Sequence, residues 1–195
     1  MIHLKMDEEI HYCQEIDSKP LSFFFQKGEA TTGKKILILG ESLAKNDWIK
    51  SGRAFYGING KIAPSGKRLN EELSLLNLSL DQCAITEIAK CYLGSNRKQL
   101  LNCGLLCGTH FIKQIKNFKI ELVLSLGMST KEVLQRIFNT NLPIGKITEL
   151  TFKNKKYYFL PLYHPSPANP TGHKKNIEII TNNKKVINKI LKSNS

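Results

Sequence analysis

Lys34-Lys35-Ile36-Leu37-Ile38-Leu39-Gly40-Glu41-Ser42 is the stretch from which the fold is read. Its aliphatic run has no polar alternation, which fits a strand buried on both faces inside a parallel sheet. Gly40 closes the run. Leu122 to Leu126, ending at Gly127, repeats the pattern, and Ala84 to Ala89 reads as a further strand. Between them the apolar spacing predicts helices. One begins near Lys67, capped by Ser65, with Leu69, Leu73 and Leu76 on one face. Others cover Gln99 to Asn117 and Ser129 to about Phe138, and an amphipathic tail runs from Lys174 to Leu191. Lys146 to Phe152 and Lys156 to Leu162 are strand-like and meet at a turn around Asn154. Strands alternating with helices imply a mostly parallel sheet with helices on both faces. Ligands of such sheets collect at the carboxyl ends of the strands, where Gly40-Glu41, Glu87, Gly127 and His164 all fall.

At 195 residues the chain is expected to form one domain, residues 1–195. No apolar run is long enough to span a bilayer, and Asp7, Glu8 and Glu9 do not suit a secretory signal. A cytoplasmic address is the expectation. Net charge is +13, and from Thr151 to Ser195 there are nine lysines against one acid, Glu178. That excess suits a phosphate backbone as partner; a solvated lysine face accounts for it as well. Five cysteines, an odd number, argue against a disulfide framework and for core thiols or a metal site.

Three motifs stand in order along the chain. The first is Gly40-Glu41-Ser42-Leu43-Ala44, then Asp47, then Gly52-Arg53-Ala54-Phe55-Tyr56-Gly57-Ile58-Asn59-Gly60, opening a turn-rich loop that runs to Gly66. The second is Thr86-Glu87-Ile88-Ala89-Lys90-Cys91, with Asn96-Arg97 beyond it. The third is His164-Pro165-Ser166. Together they resemble the uracil-DNA glycosylase superfamily, particularly its bacterial and archaeal iron–sulfur branch, over about Cys13 to Asn176. The resemblance implies a three-layer α/β/α sandwich around a central, mostly parallel four-stranded sheet. It also implies a monomer that excises bases flipped out of DNA.

The resemblance distributes roles. His164 would hydrogen-bond the base and stabilise the leaving anion. Glu41, with Asp47 as second choice, would orient water or offset the cationic sugar. Phe55 would stack on the base, a contact worth roughly 1–3 kcal/mol, with Glu87 and Ser42 beside it. Arg53, Lys90, Arg97, Ser166, Asn169, Lys174 and Lys175 are assigned to DNA. Read alone, Glu41 is a helix-entry carboxylate, Phe55 a core residue and His164 a satisfied strand-end histidine. The His-Pro-Ser-Pro sequence nevertheless breaks strand and helix and presents a rigid loop.

Two departures bear on substrate. Glu87 stands where the resembled family has an asparagine that both donates to and accepts from uracil. A carboxylate only accepts unless protonated, so altered or narrowed base specificity is expected; the alternative is that Glu87 points elsewhere. After His164-Pro165-Ser166, the residues Pro167, Ala168 and Asn169 are small or polar where a duplex-opening relative can carry an apolar wedge. Single-stranded or mismatched DNA is therefore the expected partner.

Cys91 and Cys107, with fifteen residues between them, match the spacing of two cluster ligands in the resembled branch. Cys13 has Ile16 where a second cysteine should stand, and Cys103, one helical turn before Cys107, could serve instead. A [4Fe–4S] cluster on Cys13, Cys91, Cys103 and Cys107 is the reading the resemblance supports. Zinc on the same thiolates and a degenerate site of buried thiols are the alternatives. Cys83 reads as core. The competing function is a nucleic-acid-binding protein on the same fold without catalysis.

Overall fold

The computed structural model describes residues 25–28, 35–44, 48–90, 92–93, 99–152 and 154–192. Cys13, Asp47, Cys91 and Arg97 lie outside the described residues.

The strands are β1 (Phe25–Gln26), β2 (Ile36–Ser42), β3 (Ala84–Ala89), β4 (Leu122–Leu126), β5 (Thr148–Phe152) and β6 (Lys155–Leu162). The helices are α1 (Pro64–Ser74), α2 (Leu100–Asn117), α3 (Met128–Phe138) and α4 (Pro170–Lys192). The sheet order is β1-β3-β2-β4-β6-β5. Its four inner strands, β3, β2, β4 and β6, are parallel, as expected. The four-strand count is corrected to six by antiparallel edges, β1 on β3 and β5 on β6. β1 is only two residues long, held where Phe25 stacks on Phe118 with ring centroids 4.0 Å apart. β5 is the hairpin partner of β6, turned at Asn154 with φ 62°.

The inner strands are buried on both faces. Ile36, Ile38, Leu124 and Leu160 meet Leu69 and Leu73 of α1 and Ile180 and Ile187 of α4. Leu37, Leu39, Val123 and Phe159 meet Phe111 and Ile115 of α2 and Val133 and Leu134 of α3. Each such side chain taken from water contributes about 1.5–3 kcal/mol, so the two clusters fix the three layers. α2 approaches α3 closely through Gly104 and Gly108, which lie against Val133 and Ile137. Among the described residues no helix is long and apolar enough to cross a membrane.

Two helices start earlier than their apolar spacing indicates. α1 begins at Pro64, whose fixed φ and missing N–H suit a first helical position. α4 begins at Pro170, capped by Asn169, whose Oδ1 accepts from the Gly172 N–H at 2.9 Å.

Because β2 is central and the chain moves first to β3 and then across to β4, the topological switch point lies between β2 and β4. Open α/β sheets form their crevice there, beyond the carboxyl ends.

Candidate active site at the strand ends

Gly127, the residue after β4, has φ 92°, a conformation natural to glycine. Its N–H donates to the Leu162 carbonyl at 2.9 Å, tying the ends of β4 and β6 together. A side chain here would meet Glu41 Oε1 at 3.2 Å and the His164 Cβ at 3.6 Å. The carboxylate from the end of β2 and the histidine from the end of β6 thus approach one point beside Gly127. Both are half-buried, and Pro165 behind His164 is buried. A carboxylate and an imidazole so placed can act on opposite parts of one polarised bond.

One strand over, Gly40 pairs with Glu87 in the β2–β3 ladder. The Glu87 Oε2 occupies the space a Gly40 side chain would need. Glu87 is 6 % exposed, and the indole Nε1 of Trp48, itself buried, donates to its Oε1 at 2.9 Å. Trp48 and Phe55 belong to the core cluster on the α1 and α4 side of the sheet. Phe55 is 7 % exposed with φ 62°, seated against Gly66 of α1, and its carbonyl accepts from the Ala63 N–H at 2.7 Å. Ser42 ends β2, half-buried and paired with Ala89.

The glycine-rich loop is tied internally. Tyr56 bridges Ile62, and the Gly57 N–H donates to the Lys61 carbonyl at 2.9 Å. Arg53 stacks over the Tyr56 ring at 3.9 Å and pairs with Asp81 at 2.6 Å. Tyr56 OH also donates to Asp81, and burial, then Asp81, raises the phenol above its ordinary range. Arg53 remains about half exposed, and surface pairs of this kind contribute only about 0–1 kcal/mol.

Lys90 does not reach a DNA face. It is fully buried, and its ammonium donates to Thr86 Oγ1 and the Glu87 carbonyl. Burial pushes it down to about 8, against the pull of Cys107 and Glu87. A lysine beside a motif reads as a surface cation by type; here the sheet and α2 enclose it. Asn169 spends its side-chain oxygen on the α4 cap, and Ser166 Oγ accepts from the Ala168 N–H at 3.3 Å. Lys174 and Lys175 are exposed near the start of α4.

Cys103 and Cys107 stand one turn apart on α2, half-buried and buried respectively. The Lys90 N–H donates to Cys107 Sγ at 3.4 Å, and Cys91 follows in sequence. Among the described residues no group of three or more potential ligands forms a metal site. Cys83 is a core thiol, pushed up to about 12 by burial.

The motifs do not announce a polar cluster behind His164. Glu72 of α1 is fully buried, bound by Asn176 Nδ2 at 3.1 Å to each oxygen and approached by His173 Nδ1 at 2.8 Å. Burial raises its carboxyl above the ordinary range, and the His173 and Asn176 hydrogen bonds offset part of that rise. The signal was an acid among Leu69, Leu73 and Leu76, and an amide one turn before Ile180. Trp48 was likewise missed, although a buried indole N–H requires an acceptor.

The family model described as the uracil DNA glycosylase superfamily matches residues 27–192. The chain is 26 % identical over 166 residues to a type-4 uracil-DNA glycosylase of Saccharolobus solfataricus, covering 83 % of this chain and 74 % of that protein. It is 23 % identical over 163 residues to the type-4 uracil-DNA glycosylase of Archaeoglobus fulgidus, covering 81 % and 78 %. With that of Sulfurisphaera tokodaii it shares 27 % over 169 residues, covering 84 % and 74 %. Because the family match runs through every strand from β2 to β6 and ends with α4, this chain belongs to the uracil DNA glycosylase superfamily.

Proposed function

We propose that this protein hydrolyses the N-glycosidic bond between deoxyribose and uracil, or another deaminated or mismatched base, flipped out of DNA. The observation that carries the reading is the approach of Glu41 and His164 to one point beside Gly127, at the switch point of the sheet. Water oxygen bonds to the sugar C1′ while the carbon–nitrogen bond breaks, its electron pair leaving with the base, and the proton that the water loses ends on the departed base anion. His164 stabilises the resulting anion by hydrogen bonding, and Glu41 orients the water and offsets the cationic sugar. The named activity of the relatives supports this reaction class. Lys174 and Lys175, exposed beside the His164 loop, supply cations for phosphates, and each neutralised phosphate steepens the salt dependence by about one unit.

Glu87 sets the base preference. An ionised carboxylate accepts only, which disfavours uracil O4 and suits a base presenting an amino donor. Pro167 and Ala168 are exposed and lack the bulk of a wedge, which favours single-stranded or mismatched substrate.

Two ligands of a [4Fe–4S] cluster fit the described residues. Cys103 and Cys107 share one face of α2, and Cys107 already accepts a backbone N–H, as cluster sulfurs do. Cys13 and Cys91 would complete the set, and the cluster would supply a structural cross-link between the segments that carry them. Iron and sulfide analysis of anaerobically purified protein tests this assignment.

Single-stranded, mismatched and matched oligonucleotides carrying uracil, hypoxanthine or xanthine test the activity. Abasic sites should form and should fall about 10²–10³-fold with His164→Ala. Glu87→Asn should shift the profile toward uracil. Binding of all these oligonucleotides without any abasic product would favour a non-catalytic binder.

A further inference from the structure

His164 lies between two anchored backbone positions. Tyr163 is the first residue beyond β6, and Asn176 of α4 grips both of its backbone groups. The Tyr163 N–H donates to Asn176 Oδ1 at 2.9 Å, and Asn176 Nδ2 donates to the Tyr163 carbonyl at 2.8 Å. The remaining donor capacity of that amide goes to Glu72, at 3.1 Å from each oxygen. The amide orientation is therefore fixed, since the reverse would set a carbonyl oxygen against a carboxylate. On the other side of His164, Arg68 Nη1 donates to the Ser166 carbonyl at 2.8 Å, and the Asn169 N–H donates to the same oxygen at 2.8 Å.

Arg68 and Glu72 are four residues apart on α1 and so project from one face. His173 braces the second of them, its Nδ1 2.8 Å from Glu72 Oε1 and its Nε2 3.2 Å from Glu71 Oε2. An imidazolium can donate to both at once. Glu72 and Asn176 have no exposed surface. A buried carboxylate and amide with every partner supplied make a rigid support, because any displacement leaves a polar group unpaired in a low-dielectric site.

We propose that Arg68, Glu72 and Asn176 are positioning residues that clamp the loop carrying His164, Arg68 directly and Glu72 through Asn176. The proposal rests on the reading of His164 as the group that stabilises the leaving base. A hydrogen bond made only as charge develops is sensitive to small displacements, and about 1 Å of misplacement costs on the order of 100-fold. Loosening the clamp should therefore lower kcat and leave KM nearly unchanged.

The test uses the full chain and a single-stranded oligonucleotide carrying one uracil, with Arg68→Met, Arg68→Lys, Asn176→Leu and, as control, Lys67→Met on the exposed side of α1. Arg68→Met should reduce kcat about 10- to 100-fold with KM moved less than about threefold, Arg68→Lys should recover most of the loss, and Lys67→Met should match wild type. Hydrogen exchange of the Tyr163 and Asn169 amides gives a readout independent of turnover. It should accelerate about tenfold or more when a supporting hydrogen bond is lost. Wild-type kcat together with wild-type amide protection in both Arg68→Met and Asn176→Leu overturns the clamp. Should wild type cleave no damaged base, the excision reading falls while exchange still decides the clamp. Unchanged protection overturns it, and faster exchange supports it.

Discussion

The exits from β6 and from the β2–β3 pair are built on opposite plans. Beyond β6 the backbone itself is held, at Tyr163 by Asn176 and at Ser166 by Arg68, through polar groups lent by two helices packed on the sheet. At the ends of β2 and β3 a side chain is held instead. The Glu87 carboxylate rests in the space left by Gly40 and accepts the indole N–H of Trp48. The first plan fixes the backbone on both sides of His164. The second fixes one carboxylate, whose surroundings can be altered by one loop residue. Backbone and side chain are thus secured by different elements of one sheet.

The largest expected effect on stability comes from Gly40→Ala. The new methyl would claim the space of the Glu87 carboxylate, and overpacking of this kind costs about 1–3 kcal/mol. Urea unfolding followed by circular dichroism should show a lowered midpoint, while His164→Ala stays within about 0.5 kcal/mol of wild type. Equal midpoints for the two variants would erase the distinction between the two exits. Trp48→Phe should cost less, about 1–2 kcal/mol, by leaving a buried carboxylate oxygen without its indole donor. Both changes act on one carboxylate, so the double variant should lose less than the sum of the two. A strictly additive pair would mean that Gly40 and Trp48 do not meet through Glu87.

How much of this was legible differs between the two exits as well. The strands over Ala84 to Ala89 and Leu122 to Leu126 were readable to the residue, because a strand buried on both faces leaves a continuous apolar run. β1 was not, since two residues carry no period. The meeting of strand ends at Gly40, Gly127 and His164 followed from the same pattern. Side-chain commitments did not follow. Lys90 is a surface residue by type and becomes a buried donor only when α2 closes over β3. Asn169-Pro170 was a cap and first-turn signature, yet the lysines that follow point by type to DNA. Glu72 and Asn176 were visible as polar interruptions of apolar stripes, but their mutual partnership joins positions 104 residues apart and exists only in the fold.

The smallest effect is a change in pH dependence, and it bears on the β6 exit alone. Burial raises the Glu72 carboxyl above its ordinary value of 4.5, so the folded state holds that proton more tightly than the unfolded chain. The stability linked to Glu72 is then fully present below the ordinary value and is lost as pH rises through the raised one. Arg68, Glu71 and His173 face the same cluster, but Glu72→Gln removes only this titration. The substituted amide, with its oxygen where Oε1 stands, can still accept from Asn176 Nδ2 and from His173 Nδ1, so the clamp keeps its connectivity. Unfolding free energies at about pH 4 and about pH 7 should therefore move in favour of Glu72→Gln, relative to wild type, as pH rises. The reverse trend would mean that the partners of Glu72 outweigh its burial, and that the clamp behind His164 is held by charge as well as by hydrogen bonds.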